Sequence, residues 1–137
     1  REALDADTAL KARLEAIRLQ VGPMMNLGDV TEKSVPKMTL VSPPARGGAI
    51  NTRSFIPHRC HATIGVLAAV TVATAATLPG SPAHRLAVMP VGSQSLAVGV
   101  EQPGGITEAA LELDGSGAVV RAGIVRTARK LMDGEVF

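Results

Sequence analysis

The sequence predicts an α+β domain in which a curled antiparallel sheet is wrapped around one central buried helix, with an additional amphipathic helix near the N-terminal end. Three observations predict it. The run from Arg59 to Leu78 carries no charge after its first residue and is followed by Pro79-Gly80. Several short segments on either side alternate apolar and polar side chains, the period of a strand. The stretch from Asp7 to Val21 instead places its apolar residues at helical spacing.

In chain order, Leu10, Leu14, Ile17 and Val21 fall on one face of the first helix, while Lys11, Arg13, Glu15 and Arg18 fall elsewhere. That helix should lay its apolar stripe on the core and stop at Gly22-Pro23. Met24 to Val35 is expected to be a loop, Lys37 to Val41 a short strand closed by Pro43-Pro44, and Asn51 to Phe55 a second strand after the Arg46-Gly47-Gly48 turn. Pro57 suits the approach to a helix and Pro79-Gly80 suits its end, so the central helix is expected from near Arg59 to near Leu78. About 18 residues at 1.5 Å each span roughly 27 Å. Apolar side chains occur all round this segment, which should therefore be enclosed on every side.

Beyond it, Ser81 to Pro90 is expected to be a loop holding His84 and Arg85. Strands follow at 95–100, 107–113 and 118–126, and Arg129 to Phe137 forms a last strand or continues the one before it. Gly104-Gly105 turns the chain, and Asp114-Gly115-Ser116-Gly117 is a hairpin signal.

A chain of 137 residues with 46% hydrophobic content suits one domain with its own core. The 14 basic and 12 acidic side chains leave a net charge of only +2, and with no Trp or Tyr and two Phe there is little to stack on bases; no nucleic-acid partner is expected. One cysteine cannot form an internal disulfide, so a reducing cytoplasm is the expected compartment. The uncharged run is diluted by Thr63, Thr71, Thr74 and Thr77 and is rich in Ala rather than Leu, which argues against a membrane span. It is internal and follows no short basic leader, which argues against a signal peptide. The sequence begins at Arg1 and reaches Phe137 within a strand-like run, as expected of a piece of a longer protein.

Chemistry gathers at Phe55-Ile56-Pro57-His58-Arg59-Cys60-His61, which holds two of the three histidines and the single cysteine. The start of a buried helix offers unpaired N–H groups and the positive end of its dipole, both of which favour a carboxylate or phosphate. His58, Arg59, His61, Ala62 and Thr63 are the expected substrate-binding residues. Cys60, placed at that helix start beside a cation, is where a thiol pKa would be lowered, and it is the candidate catalytic residue. The alternative is that Cys60 is a small buried hydrophobe and the histidines are capping or solvated groups. Adjacent ligands such as Cys60 and His61 point apart and no second cluster completes a tetrahedral set, so no metal is expected.

Four separated blocks also resemble a known family. Ser34-Val35-Pro36-Lys37-Met38, the run from Phe55 to Leu67, Leu78-Pro79-Gly80-Ser81 and the run from Arg126 to Val136 are similar to the PrpF-type isomerases, which include 2-methylaconitate isomerase and 4-oxalomesaconate tautomerase. The resemblance implies a diaminopimelate-epimerase-like fold of two similar domains, of which residues 1–137 form a single domain, the C-terminal part. It implies an isomerase that acts without a cofactor on a small unsaturated di- or tricarboxylate, with the Phe55-Ile56-Pro57-His58 wording closer to the oxalomesaconate branch. The implied partners are the anionic carboxylate substrate and, for the open face of such a part, the missing N-terminal domain or a second copy in a homodimer. In related epimerases a thiol followed by Gly-Thr-Gly begins the second domain's central helix; His61-Ala62-Thr63-Ile64-Gly65 departs from that pattern, so carboxylate binding carries over more directly than thiol catalysis. The family's principal Lys and Cys have no counterpart in residues 1–137, which implies that this part alone is inactive. A non-catalytic binding domain that keeps the fold is the alternative.

Overall fold

An antiparallel hairpin and an antiparallel meander joined by a helical crossover make the sheet of the computed structural model, which describes residues 1–92 and 94–135. The elements are α1 (Glu2–Ala6), α2 (Thr8–Met24), β1 (Met38–Ser42), β2 (Ile50–Phe55), α3 (Val66–Thr77), α4 (Pro82–Leu86), β3 (Ser95–Gln102), β4 (Gly105–Leu113) and β5 (Val119–Ile124). The sheet order is β1-β2-β3-β4-β5. β1 and β2 form one hairpin, with Met38 opposite Phe55 and Ser42 opposite Asn51, and β3, β4 and β5 form an antiparallel meander. β2 and β3 are parallel, paired at Ile50 with Val100 and Asn51 with Glu101. The sheet is therefore mixed, not antiparallel throughout as its alternation suggested. The residues between β2 and β3 include α3 and α4, and a crossover of that length returns the chain to the end from which it left.

The helix expected from Arg59 begins instead at Val66, with Gly65 as an extended N-cap (φ −73°, ψ 154°). Upstream, backbone groups are taken by strand-like pairing: Ile56 N–H donates to the Arg59 carbonyl at 3.0 Å and His61 N–H to the Ser54 carbonyl at 2.7 Å. Composition cannot reveal that competition. Ala69, Val72, Ala73 and Ala76, one helical face, are buried with Val98, Val100, Ala109 and Leu111 of the meander. The opposite face is open, with Leu67 81% exposed, so α3 is covered on one side and not enclosed.

Asp7 caps α2, its Oδ1 accepting from Leu10 N–H at 2.8 Å. The buried stripe is Leu14, Arg18 and Gly22, whereas Ile17 is 40% exposed. This corrects the expected face, because the Arg18 guanidinium finds enough acceptors to go inside. The helix also runs through Gly22, whose missing side chain admits Val30: a Cβ there would lie 2.5 Å from Val30 Cγ2. Leu14 packs with Phe55 and Cys60, against Leu10, Met38 and Leu40. Val41 belongs instead to the α3 cluster. β1 thus carries α2 on one face and turns the other toward α3.

The expected loop from Ser81 contains α4, with Ser81 Oγ accepting from His84 N–H at 2.9 Å and Pro82 in the first turn. Asp114 organises the β4–β5 turn, its Oδ1 accepting from the N–H groups of Ser116 and Ala118. β5 ends at Ile124, and residues 125–135 have no regular structure, so the expected strand from Arg129 is absent as far as Glu135. Its last two residues, Val136 and Phe137, lie outside the described residues. Among the described residues no helix is long and apolar enough to cross a membrane.

Candidate functional site

The segment between β2 and α3 is where the expected site residues lie, and it divides them in two. Pro57 and His58 make a tight turn closed by the Ile56 and Arg59 backbone, after which Cys60 bridges back to Phe55. His58 is 58% exposed with Nδ1 3.7 Å from Glu15 Oε2 of α2, and Arg59 is exposed. Cys60 is only 4% exposed, its N–H donates to Asp5 Oδ1 at 2.6 Å, and it packs in the α2 cluster. His58 and Cys60 face the N-terminal helices, not the start of α3.

The expectation of a Cys60 thiolate at a helix start is thereby corrected. Burial pushes the thiol pKa up, and the nearby Asp5 carboxylate pushes it further; Arg53 and Arg1 oppose this without reversing it.

His61, Ala62 and Thr63 form the other group, all exposed on the approach to α3. His61 Nδ1 lies 3.1 Å from the Thr63 carbonyl oxygen and 3.3 Å from the Thr63 hydroxyl, which fixes the ring over the turn. Buried Ile64 anchors the segment in the core, and Gly65 then starts α3 with no side chain capping its first N–H groups. The first turn of α3 therefore presents donors to whatever lies in front of it.

Along the side of α3, from Gly65 to Ala75, runs a groove of about 720 Å³ whose lining does not include His61, Ala62 or Thr63. One wall is Leu27, Val35, Pro36, Lys37 and Val41; the other is Gly65, Val66, Leu67 and Ala75 of α3. The lining is apolar apart from Thr39, Thr71 and Lys37, which is its single charged residue among the described residues. Lys37 was not among the residues expected at the site, although it stands in the Ser34-Val35-Pro36-Lys37-Met38 block. Among the described residues no three His, Cys, Asp or Glu side chains gather as a metal-binding group.

A second polar constellation holds the other end of the β1–β2 hairpin. Glu101 is fully buried, and its carboxylate accepts from the N–H groups of Ala45 at 2.9 Å, Arg46 at 2.6 Å and Gly48 at 2.8 Å. Burial alone would raise its pKa; the amides of Ala45, Gly48 and Arg46, with the Arg46 charge, outweigh burial and hold it below the usual carboxylate range.

Comparison with known proteins places the chain among its relatives. The chain is 62% identical over 137 residues to the (4E)-oxalomesaconate Delta-isomerase of Novosphingobium sp. (strain KA1), covering 100% of this chain and 38% of that protein. It is 56% identical over 135 residues to the 4-oxalomesaconate tautomerase of Pseudomonas putida, covering 98% of this chain and 37% of that protein. The chain thus spans well under half the length of either relative. The crystal structure of a methylitaconate-delta-isomerase superposes with a TM-score of 0.80 at 21% identity, over 98% of this chain and 39% of that one, a likeness of fold. The family model described as PrpF protein matches residues 1–137, and the chain belongs to the PrpF family.

Proposed function

We propose that residues 1–137 form one domain, the C-terminal part, of a longer two-domain isomerase that works without a cofactor and shifts a proton along a small unsaturated tricarboxylate, 4-oxalomesaconate in preference to 2-methylaconitate. The observation that carries this is the 62% identity across the whole chain to a relative named for oxalomesaconate. Such a shift needs an acid and a base flanking an acidic C–H, and dipoles aimed at the enolate oxygen that forms. The uncapped start of α3, approached by His61, Ala62 and Thr63, is suited to hold a substrate carboxylate at that centre. His58 and Arg59 act at one remove, shaping the turn that leads to it. Cys60, buried and with its thiol pKa pushed up, is assigned to packing rather than to proton transfer.

The reading assigns the protein to the cytoplasm, with the remainder of the parent chain as its partner across the open side of α3. The full-length protein should convert 4-oxalomesaconate and exchange its mobile proton with D2O, while residues 1–137 alone should do neither. Turnover by residues 1–137, or none by the full-length protein, overturns it.

A further inference from the structure

Lys37 stands at a defined corner of the molecule. Met38 pairs with Phe55, so Lys37 lies beside the point where β2 gives way to the segment carrying His61, Ala62 and Thr63. It lines the same groove as Gly65, Val66 and Leu67, and the ion pairs among the described residues leave it out. Lys37 is solvent-exposed, so its ammonium can meet a carboxylate entering the otherwise apolar groove without first giving up an ion pair.

Arg18 ties down the segment that leads to Lys37. This side chain is 1% exposed, and its Nη1 donates to three carbonyls of one segment: Val30 at 2.9 Å, Lys33 at 2.8 Å and Val35 at 2.6 Å. Glu15 grips the other side of the fork, accepting from Nε and Nη2 at 2.7 Å each. The Arg18 guanidinium in turn holds the Glu15 carboxyl below the usual range. Residues 25–37 contain no helix or strand, so this fork replaces the ladder that would otherwise define their path. A lysine cannot do the same, since its point charge lacks the planar set of donors.

We propose that Lys37 binds a carboxylate of the substrate, and that Arg18 is the positioning residue that holds Lys37 at the end of the groove facing the start of α3. The proposal rests on the isomerase function given above and adds a binding residue to it.

The test is a double-mutant cycle in the full-length protein with 4-oxalomesaconate, checking each variant's fold by circular dichroism. Lys37→Ala should raise KM roughly tenfold to a hundredfold, the range for a lost hydrogen bond to a charged group, with kcat within about threefold. Lys37→Arg should restore KM to within about threefold of wild type. Arg18→Lys should raise KM as well, and combining it with Lys37→Ala should add nothing, because Arg18 acts through Lys37. Amides of residues 30–37 should also exchange hydrogen faster in Arg18→Lys. An unchanged KM in Lys37→Ala overturns the binding role. Additive effects, or unchanged exchange, overturn the positioning role. Should the wild-type protein fail to convert 4-oxalomesaconate, the isomerase reading falls, and calorimetry with aconitate as a tricarboxylate probe still decides Lys37: weaker or lost binding by Lys37→Ala supports it, while equal binding, or none by the wild-type protein, overturns it. Should Arg18→Lys not fold, the two Lys37 variants decide the binding role and hydrogen exchange in Arg18→Gln decides the positioning role.

Discussion

Phe55→Ala tests whether the α2 layer is part of the folded unit that carries the site. Phe55 is fully buried at the last position of β2, packed with Leu14 and Cys60 beneath Leu4, Leu10, Met38 and Leu40. Truncating a phenylalanine in such a cluster costs about 3–5 kcal/mol, the transfer loss plus the cavity left behind. A domain of this size holds on the order of 7–20 kcal/mol in total, so the variant should still fold but with a large share of its stability gone. With a urea slope of about 2 kcal/mol per molar, the midpoint should fall by roughly 1.5–2.5 M. The assay is far-ultraviolet circular dichroism, since the chain has no Trp or Tyr to report by fluorescence. A fall of less than about 0.5 M would mean that α1 and α2 do not cover Phe55, and the packing described for that face would be wrong.

Three further outcomes are expected. Gly22→Ala gains about 1 kcal/mol of helix propensity, but its Cβ would meet Val30 Cγ2 at 2.5 Å, and overpacking costs about 1–3 kcal/mol; the net urea midpoint should fall, and a rise would refute the close approach. The Cys60 thiol, buried and with its pKa raised, should react with a disulfide reagent at pH 8 at least tenfold more slowly than a free thiol; an equal rate would refute its burial. Because the folded pKa of Glu101 is depressed, its contribution is complete above about 4.3, the unfolded value, and is lost as pH falls from there through the folded value. Glu101→Gln should therefore lower the urea midpoint at pH 7 and flatten its decline below about pH 4.3, whereas a decline parallel to wild type would show that the carboxylate does not govern the acid limb.

Much of this architecture was legible before any coordinates. The strand segments, the Asp7 helix start and the Asp114 turn all announce themselves through local chemistry. What failed to show were features settled by competition between distant groups. Arg18 looked like a solvated residue because helical periodicity weighs charge and cannot count the carbonyls waiting at Val30, Lys33 and Val35. The Ala- and Thr-rich run around α3 has no polar face to set a phase, so composition alone marks neither its start at Val66, seven residues after Arg59, nor its open side. The short α4 did carry a signal in Ser81-Pro82, a cap followed by a first-turn proline, but five residues are too few for a period. Of the residues proposed for the site, His61, Ala62 and Thr63 stand out in the sequence as the start of an uncharged run, whereas Lys37 does not, because a lysine flanking a strand is normally just its wet end.

The two-residue parallel contact between β2 and β3 also bears on how the molecule assembles. The hairpin and the meander can zip up over local turns, but Ile50 meets Val100 only after residues 51–99 have been gathered into a closed loop. That long-range stitch is the slowest encounter the topology demands, so the speed of folding should follow the collapse of α3 onto the meander more than the propensity of any single strand.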